Sequence, residues 1–165
     1  KRDAAVDKLE AALKSNPANP AASLSLGYIY QESQEIDKAI RVYEEALEKN
    51  PNLWIAANNL AVLINEAAGS KKDLEKALDL AKKAHTLRTH EPTVQDTLGW
   101  GYYKMGDMNQ ALSGSPDTPV FNYHMGMALY KSGRPAEAKK RLAKAVEGDD
   151  RFLGREEAER VLREL

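Results

Sequence analysis

One pattern of small and aromatic residues recurs along the chain at an interval of about 34 residues, and it constrains the fold more than any other feature. It is clearest in residues 20–51, PAASLSLGYIYQESQEIDKAIRVYEEALEKNP. The positions that carry the pattern are Leu26, Gly27, Tyr30, Ala39, Tyr43, Ala46 and Pro51. Their three- and four-residue spacing is typical of helix faces, and Gly27 has no side chain to hold a neighbouring helix away. The stretch therefore predicts two closely packed helices, the second of which ends before Pro51.

This arrangement resembles the tetratricopeptide repeat, in which Leu-Gly and an aromatic residue are followed by Ala, an aromatic residue, Ala and Pro. Ser23 stands where the family usually has Trp. The resemblance implies an all-α fold, a tetratricopeptide-repeat α-solenoid that forms a right-handed superhelix of antiparallel helix pairs. In that family the first helix of each pair lines the concave face, and stability comes from contacts between neighbouring units. The abundance of Ala, Leu, Glu and Lys also favours helices.

The pattern stays in frame over nearly the whole chain, which predicts a single solenoid domain, residues 1–165. Its parts are a half repeat (1–19), a repeat (20–53), a repeat with a turn insertion (54–91), a repeat with a shortened or missing second helix (92–118), a repeat (119–152) and a C-terminal capping helix (153–165). The capping helix is predicted because one face of REEAERVLREL is apolar, through Ala158, Val161, Leu162 and Leu165, and the other is charged. The half repeat lacks its first helix, so we expect the natural protein to extend upstream of Lys1.

Two irregularities interrupt the frame. Residues 66–73, EAAGSKKD, contain a four-residue insertion with loop-like composition, and Asp73 is the expected N-cap of the next helix. Farther along, Met108–Ser113 leaves under two turns for a second helix. Either that helix is truly short, or about seven residues are missing between Ser113 and Gly114; the frame resumes in register afterwards, which favours the missing segment. A separation of these two residues beyond the ~1.33 Å of a peptide bond would confirm the gap.

Composition and charge argue against several classes of function. The formal net charge of −1 leaves no basic excess that would favour nucleic-acid binding, and no apolar run is long enough for direct membrane insertion. Because the chain has no cysteine, disulfides and thiolate metal sites are excluded. The histidines, His85, His90 and His124, lack the spacing of a metal site, since the first two fall on different sides of a helix. With no catalytic motif, cofactor-binding loop or metal site in the sequence, we predict that the protein is not an enzyme.

The resemblance places a ligand groove on the first helices of the repeats. The groove residues that it implies are Tyr28, Asn58, Val62, Asn65, Trp100, Tyr103, Lys104, Tyr123, Met127, Tyr130 and Lys131. Tyr and Trp offer large contact areas with a polar tip, and Asn can pair with both donors and acceptors of a peptide backbone. Alternative interpretations stay open: Trp100 and Tyr130 could pack between units, and Lys104 and Lys131 could be solvated surface residues with no role in binding.

One subgroup of the family holds the C-terminal carboxylate of chaperone tails in a clamp of Lys, Asn and Arg. This chain departs from that pattern, because Leu24 and Tyr28 stand at the positions of the first Lys and Asn of the clamp. Only Asn59 matches. A carboxylate clamp is therefore disfavoured.

These features predict a non-catalytic protein–protein interaction scaffold that binds a peptide or protein partner in its concave groove, without a cofactor. Tyr103→Ala or Tyr123→Ala should then weaken binding and leave the fold intact. The alternatives are a self-assembling structural module, which the unpaired half repeat motivates, and a regulatory or targeting segment of a larger enzyme. NNLAVLINE and VQDTLGWGYYKMGD also resemble the C-terminal repeats of bacterial proteins that serve envelope assembly, polysaccharide secretion or protein export. The compartment, bacterial cytoplasm or periplasm and cell envelope, is left open by the sequence.

Overall fold

A computed structural model describes residues 1–113, 118–148, 152 and 154–165. These residues form ten α-helices and no strand, so the prediction of an all-α protein is confirmed for the part of the chain that is described. The helices are α1 (Arg2–Ser15), α2 (Pro20–Glu32), α3 (Ile36–Lys49), α4 (Trp54–Ala67), α5 (Lys71–Leu87), α6 (Pro92–Lys104), α7 (Met108–Leu112), α8 (Pro119–Lys131), α9 (Pro135–Val146) and α10 (Arg155–Glu164).

The helices cluster into two compact units, whereas the sequence predicts a single domain. Unit 1 contains Lys1–Thr97 and unit 2 contains Leu98–Leu165, so the division falls inside α6. Each helix pair of a repeat protein contacts only its neighbours, and no central core joins distant pairs.

In unit 1, consecutive helices pack on one another from α1 to α5. The two helices of the α2–α3 pair approach closely at Gly27 of α2, where an added Cβ would lie 2.4 Å from Cε1 of Tyr43 in α3. No side chain fits in that space, so the predicted close packing at Gly27 is confirmed. Ala39 and Tyr43 of α3 are fully buried in the same interface.

Unit 2 contains the same kind of close contact between a helix glycine and a large side chain of another helix. An added Cβ at Gly99 of α6 would lie 2.6 Å from the ring of Phe121 in α8. At Gly126 of α8, it would lie 2.6 Å from two side-chain carbons of Leu142 in α9. Phe121 and Leu142 are both fully buried, so the glycines mark the places where α8 meets its neighbours.

The predicted loop at residues 66–73 is largely helical. Because α4 ends at Ala67 and α5 begins at Lys71, most of the insertion lengthens the helices; α5 has 17 residues, against 14 in α3. The expected N-cap, Asp73, is also wrong: Ser70 caps α5 by accepting a hydrogen bond from the backbone N–H of Asp73 at 3.2 Å. The Ser70 hydroxyl in turn donates to Asp73 Oδ2 at 2.7 Å, and this bond lowers the pKa of the Asp73 carboxyl.

At the second irregularity, α7 is a helix of only five residues, although it buries Ala111. The junction between Ser113 and Gly114 lies outside the described residues, so the missing segment stays a prediction. The capping helix is present as α10 and buries Ala158 and Val161, as the sequence predicts. Among the described helices, none combines the length and the hydropathy that crossing a membrane requires.

We expect Gly27→Ala to destabilise the fold, although alanine is intrinsically the better helix former by about 1 kcal/mol. Overpacking typically costs about 1–3 kcal/mol, and here the added methyl would meet a fully buried ring. The free energy of unfolding, measured by urea titration with circular dichroism, should fall relative to wild type.

Gly69→Ala is the matched control, since its added Cβ meets nothing within 4 Å. This variant should lose no stability. A Gly27→Ala protein more stable than wild type would show that the contact with Tyr43 does not set the helix spacing.

Candidate protein-binding surface

The first helices of unit 1 carry an exposed aromatic residue and two buried amides. Tyr28 of α2 is 57% exposed, the highest value among the large apolar side chains of the described residues. Asn58 and Asn65 of α4 are 7% and 0% exposed, and Val62 between them is half-buried. Of the predicted groove residues in unit 1, Tyr28 is thus accessible to a partner, whereas the three on α4 are buried or half-buried.

Asn58 and Asn65 have unsatisfied hydrogen-bonding capacity. Among the described residues, Asn58 Oδ1 and both amide atoms of Asn65 have no hydrogen-bond partner. An unpaired buried polar group costs about 1–3 kcal/mol, so nearly all such groups in proteins are paired with protein, water or ligand. Three amide atoms at these two positions on α4 therefore have hydrogen-bonding capacity that no described residue uses.

The hydroxyl of Tyr43 connects α3 to the neighbouring first helices. Asn59 Nδ2 of α4 donates a hydrogen bond to Tyr43 Oη at 3.3 Å. Burial raises the pKa of Tyr43, the bond from Asn59 lowers it, and the nearby Tyr28 hydroxyl raises it slightly. Asn59, the single match to the carboxylate clamp, is thus engaged with the chain's own tyrosine.

In unit 2, half-buried rings form a continuous aromatic row across α6 and α8. The ring centroids of Trp100 and Tyr103 lie 5.0 Å apart, and those of Trp100 and His124 lie 5.3 Å apart. The row continues to Tyr123, whose centroid is 5.5 Å from that of His124. Lys104 Nζ lies 5.7 Å from the Trp100 ring centroid, within the range of a cation–π contact.

His124 is the member of this row that sequence reasoning missed. Its place directly after Tyr123 in a first helix is the sequence signal that indicates this contact. Among the described residues, no group of three His, Cys, Asp or Glu side chains could hold a metal ion. The row therefore offers ring faces and a cation, which suit apolar and aromatic side chains.

The remaining groove predictions on α8 meet the chain's own capping helix. Tyr123 Oη donates to Glu157 Oε2 at 2.6 Å, and Tyr130 Oη donates to Glu164 Oε2 at 3.0 Å. Met127, 8% exposed, is buried in one cluster with residues of α9 and α10. Met127 is therefore a core residue, which corrects its assignment to an open groove. Lys131, the last of the predicted set, is exposed.

The contacts with α10 change the acidity of both tyrosines. Burial raises the pKa of Tyr123 to about 12, with a further contribution from its hydrogen bond to Glu157. For Tyr130, the hydrogen bond to Glu164 is the largest cause of a raised pKa. Both hydroxyls stay protonated and act as donors to carboxylates over the ordinary pH range.

The helix pairs, the glycine contacts and the 34-residue spacing of the tyrosine–glutamate bonds define a helical-repeat protein. Comparison with known proteins identifies the kind of repeat. Residues 1–62 match the profile of the tetratricopeptide repeat family. Residues 1–62 therefore carry tetratricopeptide repeats, and the described residues beyond them continue the all-α fold of helix pairs. Proteins of this fold are generally non-catalytic scaffolds that bind protein partners.

Solved structures share the fold over most of the chain. A protein of Thermus thermophilus, TTC0263, has a TM-score of 0.75 at 23% identity, over 98% of this chain and 91% of that one. MamA has a TM-score of 0.72 at 23% identity, over 88% and 87%. The Pseudomonas aeruginosa protein pilF has a TM-score of 0.67 at 20% identity, over 99% and 87%. At these identities the likeness concerns the fold alone.

One curated relative shares closer sequence over a shorter stretch. The chain is 43% identical over 68 residues to the uncharacterized protein ycf37 of Pyropia yezoensis. The match covers 41% of this chain and spans about a third of the length of that relative, 36%. It therefore relates one segment of the two proteins.

The raised pKa of Tyr123 predicts a pH-dependent loss of α10 docking. A group whose pKa is higher in the folded state than its ordinary value of 10.0 stabilises the fold below pH 10. That stabilisation is lost as the pH rises through about 12, because tyrosinate would face the Glu157 carboxylate. In a spectrophotometric titration, the difference between wild type and Tyr123→Phe should show a midpoint near 12.

Glu157→Gln is the control for the cause of this shift, since it removes the acceptor charge and keeps the shape of the side chain. The Tyr123 midpoint should move down toward 10 in that variant and stop short of it, because burial persists. An unshifted midpoint of 10 in the wild-type protein would contradict the docking of Tyr123 on α10.

Proposed function

We propose that this protein is a non-catalytic scaffold that binds an extended segment of a partner protein along α2 and α4, which are first helices of unit 1. The observation that carries the proposal is the unsatisfied amide pair of α4, Asn58 and Asn65, which is buried in the free protein and would be uncovered by side-chain movement when the partner binds. The backbone of an extended peptide has donors and acceptors at regular intervals, and an amide side chain can pair with both.

The exposed Tyr28 supports the same assignment. Tyrosine at a protein surface gives a large contact area at low conformational cost, and it is enriched at binding hot spots. Tyr28 lies near the Tyr43 hydroxyl, which Asn59 of α4 also contacts. Tyr28 is thus linked through Tyr43 to the helix that carries the unpaired amides.

In unit 2, the aromatic row is the surface that we assign to partner side chains. Trp100 and Tyr103 are half-buried, so their ring positions are already defined while part of each ring stays accessible. Because these rings are preorganised, they lose little conformational entropy when a partner binds. Lys104 beside Trp100 favours a partner with an acidic residue near its apolar side chains.

Self-association is the second candidate, and α1 is the observation that favours it. Ala5, Leu9 and Ala12 of α1 are only half-buried. Their counterparts one period later in α3 are Ala39, Tyr43 and Ala46, all of which are buried. A second copy that covers this face of α1 would give a molar mass that rises with concentration in light scattering. A monomer at all concentrations would contradict self-association.

Peptides selected from a displayed random linear library against the immobilised protein test the scaffold proposal. For the selected peptides, we expect Asn65→Ala to weaken binding by about tenfold, as removal of a hydrogen-bonding hot spot does. The same substitution should leave the melting temperature unchanged or raise it, because it removes a buried polar group that has no partner among the described residues. Tyr28→Ala should also weaken binding by about tenfold at unchanged stability.

Glu48→Ala is the control, since Glu48 is an exposed residue of α3, a second helix. Its binding should equal that of the wild-type protein. Full binding by Asn65→Ala and Tyr28→Ala would contradict the proposal, and so would a fall in the stability of Asn65→Ala, which would make that amide a structural group.

A further inference from the structure

We propose that α10 fills a docking site on α8 and α9 for a partner's amphipathic helix, one that carries two carboxylates seven residues apart beside an apolar stripe. This inference deepens the proposed scaffold function for unit 2 and concerns a surface separate from the unpaired amides of unit 1. The site is known from its intramolecular occupant: α10 shows the shape, the polar pattern and the register that the surface accepts.

The polar part of the site is a pair of tyrosine hydroxyls. Tyr123 and Tyr130 are seven residues apart on α8, and each donates to a glutamate that lies 34 residues later in the sequence. Two helical turns separate the hydroxyls, so they match acceptors two turns apart on a second helix. Arg160 lies between the two glutamates on α10 and pairs with both, at 3.7 Å from Glu157 and 2.6 Å from Glu164.

The apolar part of the site selects small and branched side chains. Ala158 and Val161 of α10 are buried against Met127 and Leu142. Leu162 and Leu165 are half-buried at the edge of the same cluster. A helix that fits must therefore combine an i, i+3, i+4, i+7 apolar stripe with the two carboxylates.

The docking of α10 is weak enough for exchange. Only two of its ten residues are fully buried, and the alanine contributes little apolar area. Helices of this length are marginal in water without tertiary contacts. Both tyrosine–glutamate bonds are at exposed sites, where charged hydrogen bonds add little net stability. A minor population with α10 undocked follows, and a partner helix binds that population.

Gly154 offers a way to release α10 without changing the site. It precedes α10 with a φ of +103°, and an added Cβ there would lie 2.3 Å from Cζ of Tyr123. Gly154→Val should therefore undock α10 for two reasons, backbone strain and collision with the Tyr123 ring. The variant substitutes no side chain of α8 or α9.

The experiment measures binding of a fluorescent synthetic peptide, residues 154–165 of this chain, to the full-length Gly154→Val protein by anisotropy. We expect saturable binding below about 1 mM, and weaker binding to the wild-type protein, whose own α10 competes at an effective concentration in the millimolar range. A peptide in which Val161 is replaced by Asp should not bind. A peptide with both Glu157→Gln and Glu164→Gln should bind several-fold more weakly.

We call the protein variants with an undocked α10 the receivers. The first is Gly154→Val. The second, Val161→Asp, controls for an effect that is specific to Gly154. Peptide binding to either receiver should weaken when Tyr123→Phe and Tyr130→Phe are added, and the glutamine peptide should then show no further loss. Binding that ignores the tyrosines would overturn the proposal. So would the absence of saturable binding by both receivers, or the loss of amide protection in α8 and α9 of both, which would make α10 a required part of the unit.

A concentration-dependent dimer of the wild-type protein that disappears in Val161→Asp would also overturn it, since the occupant would then be α10 of a second copy. Failure of this proposal is distinguishable from failure of the scaffold function. Displayed peptides that depend on Asn65 and Tyr28 would still bind the Gly154→Val protein.

Discussion

The contact between a helix glycine and a large side chain of another helix sets the spacing on which the rest of the structure depends. At Gly27, Gly99 and Gly126, a single added carbon would collide with Tyr43, Phe121 and Leu142, respectively. At the first of these contacts, the close approach also allows the Tyr43 hydroxyl to accept a hydrogen bond from Asn59 of α4. One contact thus defines the packing within a helix pair and ties that pair to the next one.

Equivalent positions of the repeat differ in their hydrogen-bond partners between the two units. Asn58 and Asn65 of α4 stand at the same places in the repeat frame as Tyr123 and Tyr130 of α8. The tyrosines donate to the carboxylates of α10, whereas three amide atoms of the asparagines have no partner among the described residues. The repeat therefore presents polar groups at two fixed places, and the chain's own capping helix satisfies the pair in unit 2. Under the proposed function, a partner protein satisfies the pair in unit 1.

The helices and their close contacts were predictable because they follow from periodicity and residue size, which are local in the sequence. Gly27, the buried face of α3 and the apolar stripe of α10 were recognised in this way. The helical extension into residues 66–73 was not predictable in this way, because a Gly-Ser pair in a charged stretch is typical of a loop unless the Ser70 cap is recognised. The enclosure of Met127 was also missed, since the repeat frame does not specify how far a capping helix covers its neighbour.

The central claim is that close-packed helix pairs leave the first helices free to bind a partner. It is tested most directly by amide chemical shifts of the isotope-labelled protein during titration with a library-selected peptide. We expect the largest shift changes in α2 and α4 of unit 1, while α3 and α5 change little. Shift changes concentrated on those second helices would contradict the claim.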